Sequence, residues 1–161
     1  IEYSEENIKT SAAEVATLKR YYSLLEIKDY LLMKKVSERC GKQFSFVLYF
    51  YTTRDNCSEC VKQSIVLSTL REKYPDLRVY SFDYNFDLTA IKSLISIYKV
   101  KDTELPAVIL NDKLLTGFQS IEDIEALLPE EFKAEASAER ELNEEGSAED
   151  ATATPEEKIE K

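Results

Sequence analysis

The sequence has no histidine, no tryptophan, one methionine, three glycines and three cysteines in 161 residues. Without histidine, neither the mixed Cys/His zinc sites nor the Ser-His and Cys-His nucleophilic pairs can be built. Three cysteines are too few for the disulfide framework of a small secreted domain. Chemistry in this chain must therefore rest on thiols, carboxylates or lysines. No stretch approaches the roughly 18 apolar residues that a membrane-spanning helix needs, and no basic segment followed by an apolar run marks a signal peptide. The chain begins at Ile1 rather than Met, which leaves room for an upstream targeting or membrane segment.

What is present is enough for a core. Hydrophobic residues make up 43% of the chain, with ten Tyr and seven Phe, and 32% of residues are charged, the balance of a water-soluble globular protein. The length suits one domain with appendages. The net charge of -10 is unevenly placed: 12 Asp and Glu against 4 Lys and Arg lie from Pro129 onward, leaving 19 against 17 in Ile1 to Leu128. A nearly neutral body without a basic stripe gives no footprint for nucleic acid or an anionic membrane surface.

Periodicity orders the elements. Ser4 to Arg39 lacks Gly and Pro, and Val15, Leu18, Tyr22 and Leu25, then Leu32 and Val36, recur at three- and four-residue steps, which reads as helix. Ser23-Leu24-Leu25-Glu26 has capping-box spacing, so two helices meeting near Tyr22 are expected, with one long helix as the alternative. Tyr21, Tyr22 and Tyr30 favour packing of this segment on the body over a free stalk. Phe44 to Tyr51 is an aromatic and branched run without alternation, the pattern of a central strand buried on both faces. A polar loop, Thr52 to Asn56, precedes a helix from Cys60 to Tyr74 with apolar Val61, Ile65, Val66 and Leu70; Pro75 stops it. Leu77 to Asp83 alternates as a strand, and Leu88 to Tyr98 reads as a helix. This β, α, β, α order implies parallel strands joined by crossovers. Ala107 to Leu110, a turn at Asn111-Asp112-Lys113, and Leu114 to Thr116 form a hairpin, and Ser120 with Asp123 caps a last helix through Leu128. From Glu130 to Lys161 the large apolar residues are Phe132, Leu142 and Ile159, too few to offset ordering entropy, so a mostly disordered acidic tail is expected, with a helical extension near Glu131 to Leu142 as the exception.

Cys57-Ser58-Glu59-Cys60 is the chemically informative motif. Two sulfurs three residues apart can close a ring, and a position at a helix N-terminus favours the thiolate that attacks a disulfide. Cys57 is the expected nucleophile and Cys60 the resolving thiol. Half of a zinc site, or an inert pair on a binding domain, are the alternatives; the first lacks ligands beyond Cys40 and carboxylates. Cys40, ahead of Gly41, is expected to be a small buried hydrophobe. Tyr98 and Phe118 are expected to be core aromatics.

The run Val47 to Tyr51, the loop, Cys57-x-x-Cys60, helix, strand, helix, Tyr98-Lys99-Val100, Leu105-Pro106-Ala107-Val108 and the hairpin together resemble the thioredoxin superfamily over about Phe44 to Leu128. The resemblance implies an α/β thioredoxin-like fold with a central mixed sheet and flanking helices. Its domain would span residues 43-129, between an N-terminal helical extension over 1-42 and an acidic tail over 130-161. It also implies a cis peptide bond before Pro106, and Leu105 and Pro106 as substrate-binding neighbours of the cysteines, with Asn56, Ser58 and Glu59 flanking the reactive sulfurs. The activity implied is thiol-disulfide oxidoreduction and a part in cell redox homeostasis, with no cofactor or metal. The partners would be protein disulfide substrates and an electron donor or acceptor protein, with no nucleic acid. A bacterial cytoplasm or envelope compartment suits the low cysteine count, and the sequon Asn56-Cys57-Ser58 across the site argues against a eukaryotic secretory setting.

The sequence departs from that family at several positions, Ser58-Glu59 between the cysteines and a loop two residues longer over Lys101 to Leu105 among them. Asn56 replaces the tryptophan before the nucleophile, Tyr49 or Tyr51 takes the place of a buried Asp, and Val79 takes that of a Lys. Glu59 adds negative charge that opposes thiolate formation. Slower reduction chemistry, a different partner, or a non-catalytic peptide-binding module are the corresponding expectations. A peroxide-reducing enzyme is disfavoured because no Pro stands in the loop holding Thr53 and Arg54.

Overall fold

The structure is a computed structural model that describes the backbone of residues 2–138 and the side chains of residues 11–138. Helix α1 (Glu2–Cys40) is followed by β1 (Ser45–Tyr51), α2 (Cys60–Lys73), β2 (Leu77–Asp83), α3 (Thr89–Tyr98), a single 3-10 turn (Asp102–Glu104), β3 (Ala107–Leu110), β4 (Lys113–Thr116) and α4 (Ile121–Glu125). A further helix runs over residues 130–138.

The four strands form one sheet in the order β2-β1-β3-β4. β1 pairs parallel with β2 and antiparallel with β3, and β3 pairs antiparallel with β4. β1 is thus the central strand that its unbroken apolar run implied. Leu48 and Phe50 enter one core with Tyr80, Phe82, Ile91 and Ile109, while Val47 and Tyr49 enter the opposite core with Leu67, Leu70, Leu77 and Val108. Both faces of β1 are covered, so alternation would have put polar groups in a core. Helices α1 and α3 lie over the first face; α2 and α4 lie over the second.

The hairpin turn is tighter than the sequence suggested. Asn111 and Asp112 both adopt positive φ, 47° and 69°, so the loop has two residues and Lys113 already belongs to β4. The Asn111 side chain accepts from Phe46 N at 2.9 Å, tying the turn to β1. Ser120 and Asp123 complete the expected capping box of α4.

The N-terminal segment differs from its reading in several respects. It is one helix, and Ser23 does not start a second one: it is 5% exposed in the helix interior, facing the body beside Ile27 and Tyr30. With no Gly or Pro to interrupt it, the helix propagates until Gly41, whose φ of 69° and N–H to Ser37 O terminate it. Only Tyr30 of the three tyrosines packs inward; Tyr21 and Tyr22 are 64% and 65% exposed. Cys40 ends the helix beyond the sheet and is exposed, not buried. In α2 the buried face is Cys60, Gln63, Leu67 and Leu70, rotated from the expected one, with Val61 and Ile65 exposed. Phe118 is 38% exposed, whereas Tyr98 packs at the edge of the first core.

Packing continues past Pro129. Phe132 and Ala136 are buried in the second core, where the Phe132 ring lies 5.8 Å from that of Tyr74. The remainder of the acidic tail lies outside the described residues.

Candidate functional site

β1 delivers the chain to the cysteines at its C-terminal end, beyond Tyr51. The following loop closes on itself: Thr53 O accepts from both Asn56 N and Cys57 N at 3.0 Å, and Asn56 Nδ2 donates to Thr53 Oγ1 at 3.2 Å. Asn85, in the loop after β2, donates to Thr52 Oγ1 at 2.7 Å and fixes the loop's base. Cys57 therefore sits in a turn ahead of α2, which begins only at Cys60 with Glu59 as N-cap. The two cysteines therefore do not share the first helical turn: Cys60 is in it and Cys57 precedes it. Glu59 does not cap the helix with its side chain.

Cys57 and Cys60 are joined as a disulfide, with Cα atoms 5.5 Å apart. Both are nearly covered, at 5% and 4% exposure. Among the described residues no group of three or more His, Cys, Asp or Glu could hold a metal ion. Cys40 stands apart as a free exposed thiol.

The structure separates the two tyrosines that the sequence left as alternatives. Tyr49 reaches under the pair and donates from its hydroxyl to Cys60 O at 2.6 Å. Burial, and then the neighbouring Tyr51, push the Tyr49 phenol well above its ordinary value, so it stays protonated and holds the Cys60 backbone without acting as a base. Tyr51 lies beside it, ring centroids 5.7 Å apart.

Two clefts open around the loop after β1, one of them lined by Cys60. One, of about 340 Å³, is lined by Cys60, Tyr49, Tyr51, Val61, Ser64 and Ser81. The other, of about 440 Å³, lies between the loop before the cysteines and the 3-10 turn; Asn56, Leu105, Asp102 and Thr103 are in its wall. Of the expected neighbours, Leu105 and Asn56 thus meet at one cleft, while Pro106, after a cis peptide bond, is buried at the start of β3. Gln63, fully buried, fixes α2 to the segment after β4: its amide donates to Gln119 O at 3.2 Å and accepts from Gln119 N at 2.7 Å. Gly117 N donates to Glu104 O, linking that segment to the 3-10 turn.

A group that sequence reasoning missed comes from α1. Where α1 crosses the β2 edge, Lys19 and Glu26 enter a polar cavity of about 290 Å³ with Tyr49, Tyr51, Arg71 and Asp83. Lys19 pairs with Asp83, and Glu26 accepts from Ser81 N at 3.3 Å. Burial raises the Glu26 carboxyl above its usual value, partly offset by that N–H. Ser81 and both tyrosines line this cavity and the Cys60 cleft alike. No spacing in the sequence connects Glu26 to β2.

The parallel β1-β2 pair, the antiparallel β3-β4 hairpin, helices on both faces and a cysteine pair beyond the end of the central strand fit a thioredoxin-like fold. No protein-family model matches the chain, and no curated protein matches it. Two solved structures are similar over 53% of its length. One is described as a malarial protein (26% identity, 93% of that chain, TM-score 0.44). The other is a thioredoxin-2 described as a component of the malaria parasite protein secretion machinery (29% identity, 82% of that chain, TM-score 0.43).

Proposed function

We propose that the protein is a thiol-disulfide oxidoreductase acting on protein disulfides through Cys57 and Cys60. The observation that carries this reading is the closed Cys57–Cys60 bond beyond the end of a central strand, where Asn56, the residue before Cys57, meets Leu105 in the wall of a cleft. In the reducing direction, the Cys57 thiolate attacks one sulfur of a partner disulfide, and the other partner sulfur leaves as a thiolate. The Cys60 thiolate then attacks Cys57 Sγ, releasing the second partner sulfur and closing the pair. Two electrons pass to the partner, and a donor protein returns them by the same exchange run backwards. A partner segment in the cleft would lie against Leu105, with Pro106 behind it.

The test is reduction of a model protein disulfide by the reduced chain. Cys57→Ser is expected to abolish it, and Cys60→Ser to accumulate a mixed disulfide at Cys57 that is visible by mass. Equal residual activity in both variants contradicts the assignment.

A second reading has its own support. The low exposure of both cysteines, and a protonated tyrosine bonded to the Cys60 carbonyl, suit a structural disulfide in a non-catalytic peptide-binding module. That reading predicts a pair inert to thiol exchange in the folded chain, and a folded stability that falls when the pair is reduced.

A further inference from the structure

Five of the six apolar residues that mark α1 as a helix are not the ones that pack on the body. Ser23, Ile27 and Tyr30 face the sheet, whereas Val15, Leu18, Tyr22, Leu25 and Leu32 are 60%, 67%, 65%, 43% and 59% exposed. These five positions, with Asp29 completing the series, follow alternate steps of three and four. That is the heptad seam of a two-stranded coiled coil, with Val15, Tyr22 and Asp29 at one core position and Leu18, Leu25 and Leu32 at the other. A surface helix that only covers a domain has no need of a second seam on a solvent face.

We propose that this seam pairs antiparallel with α1 of a second copy of the chain. Charge decides the orientation. In a parallel dimer Asp29, held at the edge of the seam by Tyr80, would stand beside Asp29 of the partner subunit. An antiparallel register that sets Val15 against the partner's Leu32 sets Tyr22 against the partner's Leu25 and Leu18 against the partner's Asp29. On the flank of the seam the same register places Glu14 beside the partner's Lys35, and Tyr21 beside the partner's Lys28, each twice by symmetry. Glu14, Lys28 and Lys35 are exposed and make no ion pair among the described residues. Asp29 accepts from Tyr80 at 2.7 Å, which draws its carboxylate to the side of the seam. The segment is already helical and packs on the body through Ser23, Ile27 and Tyr30, so pairing does not have to supply the cost of forming the helix.

The test is sedimentation velocity on the full chain in a Cys40→Ser background, which removes any disulfide-linked dimer. A reversible dimer is expected at concentrations on the order of 100 µM or below. Leu18→Glu, on an exposed side chain, is expected to give a monomer with an unchanged circular dichroism spectrum. Glu14→Lys and Lys35→Glu are each expected to weaken the homodimer about fivefold, the size that two exposed ion pairs turned into repulsions carry. An equimolar mixture of these two variants is expected to restore association, because residues 14 and 35 meet only in the antiparallel register. A chain that stays monomeric, a dimer that Leu18→Glu leaves intact, or a mixture that associates no better than its components overturns the proposal. So does a monomer that instead floats with lipid vesicles, which would assign the seam to a membrane surface.

Discussion

Phe132→Ala tests whether the folded unit extends past Pro129. The ring is 2% exposed, stacked near Tyr74 and surrounded by Ile124, Leu128 and Ala136. Truncating a buried phenylalanine costs about 3 to 5 kcal/mol, and the lower figure applies where the helix carrying it can relax into the space. For a folded unit of this size the unfolding entropy is about 0.3 kcal/mol/K, so a loss of about 3 kcal/mol lowers Tm by about 10 °C. Thermal melts of the full chain by circular dichroism, with the disulfide intact, read this directly. A shift below about 3 °C would show that the helix over residues 130–138 lies outside the cooperative unit.

Glu26→Gln probes the cavity under α1. The folded chain holds this carboxyl above its usual value, so Glu26 contributes stability at acid pH that is lost as pH rises through the raised value. Gln retains an acceptor for Ser81 N, and the variant is expected to melt higher than the parent at neutral pH. The difference should shrink as pH falls towards the ordinary carboxylate range; a difference independent of pH refutes the assignment. Gln63→Leu leaves Gln119 N and O without their partner at a fully buried position and is expected to cost about 2 to 3 kcal/mol. Chemical denaturation checks this, and an unchanged midpoint contradicts it.

Much of the sheet was legible because its signals are local. The unbroken run of β1 reports burial on two faces, and the Ser120–Asp123 cap is a matter of residues three apart. The cysteine pair was legible for the same reason. What the sequence did not disclose depends on contacts between distant segments. The apolar steps of α1 gave the correct element but not its inner face, since Ser23, Ile27 and Tyr30 meet the sheet while the more regular stripe does not. The capping-box spacing at Ser23 lost to an uninterrupted helix. Phe132 is isolated in a tail of Glu, Ala and Ser, and only the groove beside Tyr74 makes it a core residue. Tyr49 was one of two tyrosines that the resemblance set beside the cysteines, and only the fold chooses it; Glu26 reaches the cavity next to the Cys60 cleft from α1, and no pattern along the chain pairs it with β2.

The most direct test of the redox assignment is the reduction potential of Cys57 and Cys60. The full chain would be equilibrated in glutathione buffers, its free thiols trapped and the masses read, with Cys57→Ser as control. A reversible two-electron couple between roughly -120 and -270 mV, the span of disulfide donors and thioredoxin-type reductases, is the predicted result. A pair that remains closed to below about -300 mV, or that never closes at any poise, would contradict the account.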